Sequence, residues 1–464
     1  MRMELSVGDG VTGLLIDGLT ETPYVAATLK VESTGLVLEV PYIMHGETDQ
    51  FRHLEQWFSG RMPPANLQLY TNGGTISLFD ITWGGHSERQ IAVGILRPAL
   101  AVLHGRDGDL SDPLTVATLQ SRVDGLNEWG KSSAIEIDHH VDSARLVTGL
   151  SISVSSVPAA TWRQGDAVMT IRASWSTEET TDEAGRAMRI LDNLILESTF
   201  EHGARSVAEH LREHRKVVDL LTILFGGRTR YLGHLVKDAR FVDYSLGGTV
   251  IGHPTVELFS RQTIADRPIR NSPPTSLTRP LASLAELGVD ALVKWSQNYD
   301  EWKRFILPSA GAFRRESPYL EDSITSMCIA MEAGGQILGQ VPGEAATYGR
   351  KRPTLATYVY RCLSAIGVDW GENISSTVGL ARAIATNGNT LKHPDRGAYP
   401  DYTQSYVVRM VSELTVRLLA LYLAGGASDV LADYRKVSGL AWRERQVLQE
   451  NAISIDDAGV FHLG

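Results

Sequence analysis

The chain has 464 residues, 43% hydrophobic and 21% charged, the balance of an ordinary globular protein with room for two or three cores. A formal charge of −10 excludes a protein coated all over with Lys and Arg for nucleic acid, although a local basic groove is compatible with an acidic total. Cys328 and Cys362 are the only cysteines, so no disulfide framework and no cysteine metal site is expected, which points to a reducing compartment, the cytoplasm by default. MRMELSVGDG lacks the apolar core of a signal peptide, and the most apolar late run, residues 414–424, is short and interrupted by Arg417. No membrane span is expected.

Residues 27–40 alternate in twos. Ala27, Leu29 and Val31 interleave with Thr28, Lys30 and Glu32, Ser33-Thr34-Gly35 reads as a turn, and Leu36, Leu38 and Val40 resume the pattern of a hairpin. A second hairpin is predicted from Leu67 and Leu69 through Asn72-Gly73-Gly74 to Ile76 and Leu78, the Asn-Gly pair supplying the positive φ of a tight turn. Further strand-like runs cover residues 91–96, 134–137, 150–154, 168–175 and 188–196. Strands with little helix between them predict a mostly antiparallel sheet or sandwich. One helix interrupts them: Ser206 and Glu209 make a capping-box pattern, and Val207, Leu211, Val218, Leu221 and Phe225 form the side expected to pack on the sheet.

Four prolines between Arg267 and Pro280 forbid a regular helix or central strand. Residues 264–280 are therefore expected to connect a β-rich domain, 1–263, to a second domain, 281–464. From Leu281 the apolar period becomes helical, with helices predicted over 281–305, 319–338, 355–366, 371–385 and 401–423, the last with Asp401 and Gln404 in capping positions. One more helix and an end strand or coil complete the tail. The expected fold class is α+β in two domains, mostly antiparallel strands with a packed helix followed by an all-α bundle.

The segment richest in chemistry is Asn-Gly-Asn-Thr-Leu-Lys-His-Pro-Asp-Arg, residues 387–396. It sets His393 one turn beyond Asn389, amid helical patterning that Pro394 closes. Imidazole suits proton transfer near neutral pH better than any other side chain. Glu332 lies among Met327, Cys328, Met331 and Leu338, so its carboxylate is expected to be partly buried and to need a donor, from His393, Lys392 or Asn389. The plainer alternatives are a Glu at the bundle edge paired with a nearby Arg, a helix-ending His favoured by the dipole, and Asn387-Gly388 as a helix-ending pair.

Two other clusters are weighed and set aside. Asp138-His139-His140 with Asp142 matches part of the DHH phosphoesterase metal motif, but the Asp-rich loops that family needs upstream are not present. His210 and His214 stand at i, i+4 near His202, yet no Glu completes a His-Glu-x-x-His arrangement, so surface histidines are expected and no metal. No P-loop, dinucleotide fingerprint or Gly-x-Ser-x-Gly elbow occurs.

Residues 125–129 read GLNEW, residues 209–227 read EHLREHRKVVDLLTILFGG, and the helical half carries NTLKHPDR. In this order the segments resemble the ApeA-like anti-phage proteins, which join a β-rich N-terminal domain to a C-terminal HEPN domain. The resemblance implies a cytoplasmic abortive-infection protein whose first region senses or regulates, with a phage-derived trigger acting there. It implies a helical domain that is a metal-independent endoribonuclease, cleaving tRNA or other RNA without a cofactor. The RNA's own 2′-hydroxyl would attack phosphorus, a His would move protons, and a cation would stabilise the phosphorane oxygens.

In HEPN ribonucleases an Arg, usually followed by Asn or another polar residue, precedes the His by four to six residues. Asn389 and His393 occupy matching positions, but Thr386, Asn387 and Gly388 stand where the Arg would be. The cation is then expected from Lys392 first, or from Arg396 or Arg382. Arg382 lies eleven residues before His393 on nearly the same helix face, and Asn387-Gly388 could break the helix and shorten the gap. Two bundles are expected to pair as a homodimer so that their motifs share one groove. The missing Arg keeps a second reading open, a HEPN-like module that binds RNA or dimerises without cleaving.

Overall fold

Alternation along residues 27–40 resolves into two paired strands, with Leu29 opposite Leu38 and Val31 opposite Leu36, all four buried on one face. The computed structural model describes residues 3–18, 24–43, 52–87, 91–143, 145–182, 185–269, 277, 279–316, 319–393, 395 and 398–464. In chain order the elements begin β1 (Gly10–Ile16), β2 (Val25–Glu32), β3 (Gly35–Ile43), α1 (Arg52–Phe58), β4 (Leu67–Thr71), β5 (Gly74–Phe79), β6 (Thr82–His86), β7 (Ile91–Arg97), β8 (Leu100–Val102), β9 (Thr115–Val116) and β10 (Thr118–Val123). They continue with α2 (Leu126–Gly130), β11 (Ile135–Val141), β12 (Val147–Val154), β13 (Pro158–Gln164), β14 (Ala167–Asp182), β15 (Gly185–Phe200), β16 (Arg205–Ser206), α3 (Val207–Phe225), β17 (Tyr231–Lys237), β18 (Asp243–Tyr244), β19 (Val250–Gly252) and β20 (Val256–Ser260).

Among the described residues fourteen strands form one sheet, ordered β13-β14-β15-β10-β17-β20-β8-β5-β4-β1-β2-β3-β7-β6. Every neighbouring pair is antiparallel, the arrangement that short turns between successive strands permit. The second predicted hairpin is β4–β5, but its positive φ of 134° falls at Gly74 and not in the Asn72-Gly73 pair. The hydroxyl of Thr71 closes that turn, donating to the Gly74 carbonyl at 2.7 Å and accepting from the Gly73 N–H at 3.1 Å.

Helix α3 starts where the capping box predicts, with Ser206 and Glu209 exchanging hydrogen bonds. It does not bury one side alone. Every residue from Val217 to Phe225 is buried, because the run Leu220-Leu221-Thr222-Ile223-Leu224-Phe225 is apolar almost all round and is enclosed by the sheet on one side and the helical half on the other. Its buried Asp219 accepts from Tyr299 and pairs with Arg314, Trp295 Nε1 donates to the Lys216 carbonyl at 2.9 Å, and Arg417 donates to the Ile223 and Leu224 carbonyls at 3.3 and 2.7 Å. One apolar core therefore runs from β13–β15 through α3 into the helices.

The helical half comprises α4 (Leu284–Leu287), α5 (Val289–Asn298), α6 (Lys303–Arg314), α7 (Leu320–Leu338), α8 (Leu355–Ile366), α9 (Thr377–Lys392), α10 (Tyr402–Ala424), α11 (Ser428–Tyr434) and α12 (Trp442–Glu450), closed by the hairpin β21 (Ile453–Ile455) and β22 (Phe461–Leu463). The fold is thus α+β, an antiparallel strand-rich half followed by a helical one. The single helix predicted over 281–305 is three, since a second Ser-x-x-Glu box starts α4 and Gly288, at φ 79°, ends it. The tail holds two helices and a hairpin where one helix and an end strand or coil were expected. Helix α9 begins later than its apolar period suggests, because Ile374 bridges to Ile455 of β21 and Ser376 caps the Gly379 N–H at 3.1 Å. Among the described residues no helix is long and apolar enough to cross a membrane.

Candidate functional site

Helix α9 carries residues 387–392 of the motif on its last turns and runs unbroken to Lys392. Asn387-Gly388 does not end it. Gly388 serves close packing instead: a Cβ there would sit 2.5 Å from Cys328 Sγ on α7. The helix stops at His393, whose backbone turns extended, φ −132° and ψ 93°, while its N–H donates to the Asn389 carbonyl at 2.9 Å. The His393 ring is exposed and makes no hydrogen bond to any described residue.

Lys392 and Glu332 flank the same buried thiol. Burial pushes the Cys328 thiol up to about 12, the Lys392 ammonium pulls it down, and the Glu332 carboxylate pushes it up, so both charges stand near where α9 crosses α7. Asn389 is half-buried one turn behind His393. Glu332 is exposed, not the half-buried carboxylate expected, because it shares the outward stripe of α7 with Ile329 and Gln336 while Met327, Cys328 and Met331 face inward.

Arg382 does not reach the motif. Its guanidinium donates to the Asp457 carbonyl at 2.9 Å and the Ala346 carbonyl at 2.7 Å, tying α9 to the terminal hairpin. With the helix continuous, eleven residues put it about 16 Å along the axis from His393. Arg396 lies outside the described residues. Where the missing Arg would stand, Asn387 is buried and donates to Ser405 at 3.3 Å, and Thr386 is exposed.

The clusters set aside in the sequence also find their places. Asp138, His139, His140 and Asp142 lie exposed on the β11–β12 hairpin, where His140 Nε2 meets Ser151 Oγ at 2.5 Å and Asp142 accepts from the Leu146 N–H at 2.9 Å. His202 is exposed, but His210 and His214 are fully buried, which corrects the expectation of surface histidines. They face the sheet: His210 bonds the Val116 carbonyl at 3.1 Å and Ser198 at 2.7 Å, and His214 bonds Ser198 at 2.8 Å and Ser121 at 2.7 Å. Ser121 also meets His234 at 2.8 Å, and His234 meets Thr263 at 2.6 Å. Burial holds all three imidazoles below their ordinary range, His234 to about 3. The available signal was a polar residue in core register: Ser121 between Leu119 and Val123, and Ser198 between Leu196 and Phe200. The Ser-His pairs resemble nucleophilic dyads in distance only, since no substrate reaches them.

A cleft of about 660 Å³ opens in the β-rich half, lined by Tyr70, His104, Asp107, Asp243, Tyr244 and Glu257, and it does not include the motif. The segments GLNEW and 209–227 meet on the same core. Trp129 and Phe225 are both buried in it, and Asn127 Oδ1 accepts from the Leu194 N–H at 2.7 Å. A family model described as ApeA N-terminal domain 1 matches residues 21–295, more than half of the chain, and takes in both segments. No curated protein and no solved structure matches the chain.

Proposed function

Because the chain belongs to the ApeA N-terminal domain 1 family, we propose that it acts in anti-phage defence, with its helical half a HEPN-type endoribonuclease that cuts RNA without a metal. The observation that carries this reading is the exposed imidazole of His393 at the end of α9, next to Lys392, whose ammonium acts on the Cys328 thiol together with the exposed Glu332 carboxylate. In the reaction the ribose O2′–P bond forms and the P–O5′ bond breaks. His393 takes the 2′-proton or delivers one to the departing 5′-oxygen, and Lys392 supplies positive charge to the non-bridging oxygens. An in-line displacement needs a base on one side and an acid on the other, so a second copy paired through the helical domain would place the partner's His393 opposite the first. The RNA is a tRNA or another accessible RNA, and a phage-derived signal acts on the β-rich half.

A phosphate approaching His393 meets the carbonyl end of α9, which repels anions. Lys392 has to offset that, and as a mobile point charge it aligns a phosphate less rigidly than an Arg fork. The engagement of Arg382 by two carbonyls favours the second reading, a helical module that binds RNA or pairs with itself without cleaving. Purified chain incubated with total tRNA in EDTA separates them. Fragments that disappear with His393→Ala support the nuclease, whereas intact RNA, also in the presence of extract from phage-infected cells, leaves the binding module.

A further inference from the structure

Six buried side chains bridge α3 to the sheet in single file: Thr263, His234, Ser121, His214, Ser198 and His210. The far end is the Val116 carbonyl, which can only accept. That one fact sets every proton in the file. His210 must carry hydrogen on Nε2, so as a neutral ring it presents a bare Nδ1, which takes the Ser198 hydroxyl proton. Ser198 has no second proton, so its oxygen accepts from His214 Nε2–H, and His214 Nδ1 takes the proton of Ser121. The Ser121 oxygen then accepts from His234 Nδ1–H, and His234 Nε2 takes the proton of Thr263. Donation runs one way, from Thr263 to Val116.

An added proton can enter only at the Thr263 end, on His234 Nε2, where the one bare nitrogen has a neighbour free to turn. The Thr263 hydroxyl then swings to the Ser260 carbonyl, 3.5 Å away. Each hydroxyl can pass one proton and pick up another, so the charge moves along the file while the bonds from Thr263 to His210 are remade with donor and acceptor exchanged; the His210 bond to the Val116 carbonyl keeps its direction. A second proton has no place, because some serine would face two N–H groups with nowhere to send its own hydrogen. Charged neighbours set where the charge rests. Arg122 of β10 and Arg267, which pairs with Glu257 of β20, oppose it at His234, the Tyr231 ring lies against His234, and Glu209 of α3 favours it at His210.

We propose that this file is a one-proton switch: neutral, it holds α3 to the sheet with a single donor direction; on acidification it takes up one proton, which settles on His210 and moves the Thr263 hydroxyl onto Ser260. Thr263 immediately precedes the 3-10 turn Ile264–Asp266 that leads into the Pro-rich stretch, so the switch acts at the start of the connection to the helical half. It does not depend on the ribonuclease reading, and its test uses no activity.

Full-length chain labelled with ¹⁵N-histidine and examined by long-range ¹H–¹⁵N correlation at pH 7.5 is expected to show Nε2–H on His210 and His214 and Nδ1–H on His234. Any other tautomer at these three rings overturns the switch. As pH is lowered, one imidazole of the three is expected to charge in the folded chain, and that one is His210. Two charged rings in the folded chain, first protonation at His214, or unfolding before any of them charges would each refute it. Thr263→Val removes the hydroxyl that must turn and is expected to move the folded-state titration down by a pH unit or more; an unchanged midpoint counts against the proposal. If that variant does not fold, the tautomers and the number of charged rings in the wild type decide.

Discussion

His393 and Lys392 share the last turn of α9, and their proposed roles separate in kinetics. Lys392→Ala is expected to lower kcat for RNA cleavage by about 10²-fold, since removing one preformed charge or donor to a developing oxyanion costs about 3 kcal/mol. His393→Ala should remove cleavage altogether. A Lys392→Ala variant with unchanged single-turnover rate would take the ammonium out of the mechanism. At this level the end of α9 at His393 was legible because Pro394 follows it directly in sequence. Glu332 was not, since one step around α7 separates an inward from an outward position and the surrounding apolar residues do not reveal the phase. His210 and His214 were misread for a different reason: their partner Ser121 lies 93 residues from His214, on a strand that only the sheet brings beneath α3.

Close helix packing in the bundle rests on small residues that look like breakers in sequence. Gly335 on α7 faces the backbone of α8, where a Cβ would lie 2.5 Å from the Tyr358 carbonyl oxygen, whereas nothing lies within 4 Å of a Cβ at Gly311 on α6. Gly335→Ala should therefore destabilise the chain by about 1–3 kcal/mol through overpacking. Gly311→Ala should stabilise it by up to about 1 kcal/mol through helix propensity. Urea midpoints of the two variants moving in the same direction would refute the assigned approach of α7 to α8. The same logic explains why α9 passes through Asn387-Gly388: contact with Cys328 outweighs the local preference of the pair to end a helix.

Across the whole molecule α3 is the shared element, enclosed by strands on one side and helices on the other. Arg417→Met deletes two bonds to carbonyls at its C-terminus and is expected to cost about 2 kcal/mol. Because the core is continuous across α3, calorimetry should show one transition shifting as a unit, and two separated transitions would mean that the halves unfold independently. Acid acts on the same region. His210, His214 and His234 have folded pKa values depressed below 6.5, so the unfolded chain binds more protons below that pH. Their contribution is complete above pH 6.5 and is lost progressively as pH falls below it, at about 1.4 kcal/mol per pH unit for each ring that stays neutral in the folded chain. Thermal midpoints should fall between pH 6.5 and 5, and a flat profile there would contradict the burial of these rings.

Local chemistry was enough for the α+β class, the two hairpins, the Ser206–Glu209 capping box, the helices α7, α8 and α10, and the end of α9 at His393. Each of these follows from period, cap or turn within a few residues. Non-local contacts settled the rest: the sheet order, the enclosure of α3 on both sides, the use of Arg382 as a tie to Asp457 and Ala346, and the Ser-His file. Those depend on which surfaces meet after the chain has collapsed, and residues a hundred positions apart carry no mark of each other until they do.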